Sequence, residues 1–140
     1  MKKTDHIGVA VKSIDEALPF YTEMLALTLM KQETVDAQGV KVAFLDAGNI
    51  KIELLEPLTA ESPIAKFIEK KGEGIHHVAF GVENIDVRMD ELTTKGLTFT
   101  SEKSKPGAGG AQVAFLHPKQ AHGVLYELCD HSYDGGDNHE

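Results

Sequence analysis

The chain contains two copies of one pattern. His6-Ile7-Gly8-Val9-Ala10-Val11 leads into a helical stretch from Ile14 to Leu25, and 71 positions on His77-Val78-Ala79-Phe80-Gly81-Val82 leads into another from Ile85 to Lys95. Ile14-Asp15 and Ile85-Asp86 keep that offset, and Val42-Ala43-Phe44-Leu45 returns in register as Val113-Ala114-Phe115-Leu116. Ile52-Glu53-Leu54 recurs as Tyr126-Glu127-Leu128 at an offset of 74, so the second copy gains three residues around Lys119 to Gly123, where a surface loop absorbs them. A duplication constrains architecture more than local propensity does, because each copy must adopt the same supersecondary unit.

Each copy reads as a strand, a helix and about three further strands, which predicts an α+β fold of two tandem βαβββ modules. In the first copy Thr4 to Val11 is apolar or alternating, and Ser13 caps a helix to about Ala26. Leu29 to Glu33, Val40 to Ala47 and Asn49 to Glu56 read as strands. Pro19 falls inside the helix and predicts a kink or a late start. Between the copies Ser62-Pro63 supplies an N-cap and first helical residue, Ile64 to Lys71 an apolar stripe and Gly72 a stop. We expect a single domain over 1–140, with module 1 at about 4–57, a linker helix at about 60–72, module 2 at about 74–129 and a loose polar, Gly-rich tail over 130–140.

The chain's 140 residues, 41% of them hydrophobic, are enough for one compact domain. A net charge of -8 argues against nucleic acid or an anionic membrane as partner. No run approaches the roughly 18 apolar residues of a membrane helix, and the N-terminus lacks a signal-peptide pattern, so a cytoplasmic protein is expected. Cys129, the single cysteine, has no CxxC context and reads as a packing residue.

Strand alternation places His6 on one face with Gly8 and Ala10, and His77 on one face with Ala79 and Gly81. Small neighbours leave room above the sheet beside each imidazole. Glu53 and Glu127 stand among apolar neighbours on the last strand of each copy. Taken singly, each is an ordinary strand residue, but their duplicated placement makes His6, Glu53, His77 and Glu127 candidate ligands. Two nitrogens and two oxygens suit a divalent metal of octahedral preference, with two positions left for water or substrate. His76 reads as a supporting or surface residue.

These features resemble the vicinal oxygen chelate superfamily, whose paired βαβββ modules form a cupped sheet around a metal site and whose ligand positions match His6, Glu53, His77 and Glu127. Within it the segments 5–11, 53–58, 62–67, 74–80 and 115–119 are most similar to methylmalonyl-CoA epimerases. Some epimerases carry a glutamate on the strand where this chain has Val42, and some have glutamine at the second ligand position. The resemblance implies an isomerase with one divalent ion, whether cobalt, manganese, nickel or zinc, acting on an acyl-CoA, with a homodimer as the expected assembly. It further implies inversion at C2 of methylmalonyl-CoA through a metal-stabilised enolate, with Glu127 and Glu53 as acid and base. The cationic, flexible loop holding Lys105 and Gly109, and Lys119 in the three-residue expansion, are the expected substrate-binding residues. Alternatives on the same scaffold are a glyoxalase I-type lactoylglutathione lyase and a non-catalytic small-molecule-binding protein. An extradiol dioxygenase would leave Glu53 unexplained.

Overall fold

The computed structural model describes residues 1–133 and has the α+β architecture that the repeat predicts. Two compact units comprise residues 6–76 and residues 1–5 with 77 onward. The first contains most of β1 (Lys3–Ala10), then α1 (Ile14–Pro19), β2 (Thr28–Val35), β3 (Val40–Asp46), β4 (Lys51–Pro57) and α2 (Pro63–Lys71). The second contains β5 (Gly74–Gly81, from His77 onward), α3 (Ile85–Thr94), β6 (Lys105–Pro106), β7 (Gln112–Phe115) and β8 (Tyr126–Asp130).

The two strand orders correspond. The first unit has β2-β3-β4-β1, and the second β6-β7-β8-β5. In each, the first strand pairs in parallel with the last, and the middle strand runs antiparallel to the last. One face packs on the unit's own helix. Val11, Ile14, Ala43, Leu45 and Leu54 form that core in the first unit, and Val82, Ile85, Met89, Ala114 and Leu128 in the second. At roughly 1.5–3 kcal/mol per buried large aliphatic side chain, these cores fix which face of each sheet remains for a site.

Both helices start against a carboxylate from the end of their own sheet. Glu56 Oε1 accepts the Ile14 N–H at 2.7 Å, and Asp130 Oδ2 accepts the Ile85 N–H at 2.9 Å. These donors are among the amides that a helix leaves without an internal partner. Ser13 additionally caps α1 through the Glu16 N–H at 3.2 Å.

The interruption expected at Pro19 takes the form of a change of helix type and not of a late start, since α1 begins at Ile14. The α-helix stops at Pro19, and Phe20–Met24 continues as a π-helical turn closed by Leu25 N–H to Phe20 O at 3.0 Å. Proline lacks the amide that would extend the regular ladder, and the wider turn accommodates the loss. The linker helix lies where Ser62, Pro63 and Gly72 place it, with Ser62 Oγ accepting the Ile64 N–H at 3.2 Å. The segment expected to be a loose tail begins with structure: Asp130 ends β8 and His131–Tyr133 form a 3-10 turn. The rest of that segment lies outside the described residues. No helix among the described residues is long and apolar enough to cross a membrane.

Candidate metal centre

Within the first unit, parallel pairing sets Gly8 of β1 opposite Glu53 of β4. Two residues before Gly8 on the same face is His6, and glycine's missing side chain lets the glutamate lean toward it. His6 Nδ1 and Glu53 Oε2 are 3.2 Å apart, and each residue is only 5% exposed. Within the second unit Ala79 of β5 lies opposite Glu127 of β8, and His77 precedes Ala79 by two. His77 Nε2 and Glu127 Oε1 are 3.0 Å apart, again with both residues buried. The same register therefore builds a buried imidazole–carboxylate pair twice.

The other flank of each glutamate is also duplicated. Phe44 pairs with Glu53, and Phe115 with Glu127. Phe115 meets the His77 ring edge-on with centroids 5.7 Å apart, while Lys31 Nζ lies 5.1 Å over the Phe44 ring. An aromatic wall excludes water and so strengthens the field that each carboxylate exerts. These two phenylalanines were visible in the repeated Val-Ala-Phe-Leu.

A buried carboxylate is costly unless cations or strong donors surround it. Imidazole nitrogen and carboxylate oxygen are the donors that a borderline or hard divalent ion takes. Both pairs fit such an ion by chemistry and burial. Val42, the strand position that differs from some epimerases, is fully buried and apolar, and offers no proton-transfer group. His76 packs edge-on against Phe67 of α2 with centroids 4.9 Å apart.

The expected substrate-binding residues are on the surface side of the second unit. Lys105 is exposed on the two-residue β6, Gly109 is in the following 3-10 turn with φ 73°, and Lys119 is exposed in the turn Pro118–Ala121. That last turn ends in His122 and Gly123, both with positive φ, which accounts for the three-residue expansion. Beside α1 a separate hollow of about 410 Å³ is lined by Val9, Glu16, Phe20, Tyr21 and Glu73, and contains none of the seven expected site residues. Burial first, and then the Glu73 charge, push the Tyr21 hydroxyl above its ordinary pKa.

The family model for the glyoxalase/bleomycin resistance protein/dioxygenase superfamily matches residues 5–115. An uncharacterized Bacillus subtilis protein, YqjC, is 44% identical over the whole of both chains. The mitochondrial methylmalonyl-CoA epimerase of Bos taurus is 42% identical over 90% of this chain and 73% of its own length. The crystal structure of methylmalonyl-CoA epimerase from Mycobacterium tuberculosis superposes with a TM-score of 0.88 at 35% identity, covering 91% of this chain and 87% of that one.

Proposed function

Since the chain belongs to the glyoxalase/bleomycin resistance protein/dioxygenase superfamily, we propose that it is a metal-dependent isomerase that interconverts the C2 stereoisomers of methylmalonyl-CoA. The observation that carries this reading is the duplicated buried pair, His6 with Glu53 and His77 with Glu127. Similarity to methylmalonyl-CoA epimerases over most of the chain supports it. In this reading both pairs serve one divalent ion.

The chemical obstacle is the weak acidity of the carbon between a carboxylate and a thioester carbonyl. A bound divalent ion would supply positive charge where negative charge develops on the thioester oxygen. The protein's residues then move protons. Glu127 takes the C2 proton on one face of the substrate, and Glu53 delivers one to the opposite face, so the configuration inverts. A carboxylate held as a ligand is a weak base, so each glutamate must be free of the ion when it acts. Phe44 and Phe115 keep water from the intermediate. Lys105, Gly109 and Lys119 receive the acyl-CoA, the two ammonium groups offsetting the repulsion that a chain of net charge -8 exerts on an anionic substrate.

The test is proton–deuterium exchange at C2 of each methylmalonyl-CoA stereoisomer in heavy water, with metal-loaded and chelator-treated protein. Exchange with inversion that depends on metal is expected. Fully metallated protein that leaves C2 unexchanged would refute the assignment.

A further inference from the structure

A second group of ligand-type side chains lies wholly within the unit formed by residues 1–5 and 77 onward. One ligand atom each from Asp5, Cys129 and His131 lies within 4.8 Å of the others. Asp5 is 4% exposed and Cys129 1%, while His131 is partly open to solvent.

The fold builds this cluster deliberately in physical terms. Asp130 is fully buried, and its Oδ1 accepts the Ser132 N–H at 2.9 Å while its Oδ2 accepts the Ile85 N–H. That pins the turn after β8 and returns His131 over the sheet. Gly81 pairs with Cys129, and a Cβ on Gly81 would stand 3.9 Å from the Asp5 Cβ.

We propose that Asp5, Cys129 and His131 form a second cation site, using none of the four ligands named above, that takes a thiophilic divalent ion such as zinc. One thiolate, one imidazole and one carboxylate are a three-ligand set for tetrahedral zinc, with the fourth position left to water. A hydrogen-bonded triad is the competing explanation of the cluster. The metal-free groups do hydrogen-bond, but loosely: His131 Nε2 and Asp5 Oδ2 are 3.5 Å apart, whereas a closed charge-assisted N–H···O bond measures about 2.7–2.9 Å. Ligands about 2.0–2.3 Å from a shared tetrahedral ion stand roughly 3.3–3.8 Å from one another, a range that includes the 3.5 Å between His131 Nε2 and Asp5 Oδ2. The ion would fasten the start of β1 and the end of β8 to the turn that follows it.

Cobalt distinguishes this site from the His–Glu pairs, because a thiolate ligand adds a near-ultraviolet sulfur-to-metal charge-transfer band that oxygen and nitrogen ligands lack. Chelator-treated full-length protein is titrated with Co²⁺ and followed by absorbance and bound-metal content. The expected result is a charge-transfer band, with bound cobalt reaching about two ions per chain. Cys129→Ser and His131→Ala each abolish or weaken the band, the latter by roughly tenfold or more in affinity, while His77→Gln retains it. His131 is partly exposed, so its variant keeps the test valid if Cys129→Ser fails to fold. Saturated wild-type protein without the band, or a band that persists in Cys129→Ser, would overturn the proposal.

Discussion

The two modules share strand order and register, yet they hold their helices differently. In the first, Ser13 and the half-buried Glu56 share the start of α1, and Pro19 ends the α-helix after six residues. In the second, Asn84 has φ 54° and provides no side-chain cap, so the fully buried Asp130 takes over the start of a ten-residue α3. The outer strands diverge as well, with eight residues in β2 and two in β6. What stays constant is the histidine, the small residue two positions on, and the glutamate opposite it. Duplication preserved the register that sets the ligand geometry, while the means of anchoring each helix drifted.

If the two glutamates differ in role as proposed, the largest effect should separate them. Glu127→Gln is expected to lower C2 exchange by about 10³-fold from the stereoisomer whose proton faces Glu127, and Glu53→Gln by as much from the opposite stereoisomer, because an amide can still ligate but can neither take up nor give a proton. Losses that do not depend on the stereoisomer, measured at matched metal content, would make the two modules chemically equivalent.

The helix anchors should separate next. Asp130→Ala leaves buried donors without their acceptor and is expected to cost about 3 kcal/mol, whereas Glu56→Ala, at a half-buried position with Ser13 still in place, should cost about 1 kcal/mol. Urea unfolding of the two variants checks this, and a reversed order would dissolve the contrast.

Metal binding asks whether the halves act together. Manganese at a hundredfold excess over its dissociation constant should stabilise the wild-type protein by about 2.7 kcal/mol. If both pairs serve one ion, His6→Ala and His77→Ala should each remove nearly all of that gain in a thermal shift measurement. A gain that halves in each variant would indicate two independent sites.

The smallest effect belongs to His131, a residue of the second module alone. Hydrogen bonds to Asp5 and then to Cys129 raise its pKa from 6.5 to about 10. A raised pKa means that the folded protein holds the proton more tightly than the unfolded chain. The contribution is therefore complete below about pH 6.5 and disappears as pH rises through about 10. Because the ring keeps part of its solvent, screening limits the effect to about 1 kcal/mol. Chelator-treated protein should lose urea resistance between those pH values, and His131→Gln should flatten the profile.

Much of this was legible in the chain. A repeat at constant offset fixed the order of strand and helix, and alternation placed each histidine beside a small residue on one face. The linker helix was visible because Ser62, Pro63 and Gly72 are local signals. Less visible was anything that depends on contacts distant in sequence. Glu56 and Asp130 each follow a candidate ligand by three residues, but their service to Ile14 and Ile85 arises only when the last strand of a module docks beside its first. The Asp5–Cys129–His131 cluster was hidden for the same reason, since Cys129 alone reads as packing. The fate of Pro19 was hidden differently: proline forbids the regular bond but does not specify the wider turn that replaces it.

The division of β1 between the units has a consequence for the order of events during synthesis. Residues 6–76 carry their own strands and helices and can assemble as soon as that stretch is available, in the N-terminal-first manner of a growing chain. The first five residues belong to the other unit, where the Lys2 N–H bonds to Gly81 O at 2.8 Å. Residues 1–5 must therefore wait for a partner nearly eighty residues downstream, and α3 waits longer still, until Asp130 emerges. Closing such distant contacts is slow compared with local assembly. During that interval the nascent chain exposes an unfinished strand end beside an otherwise completed module, and this is the stage at which it is most open to pairing with a neighbour.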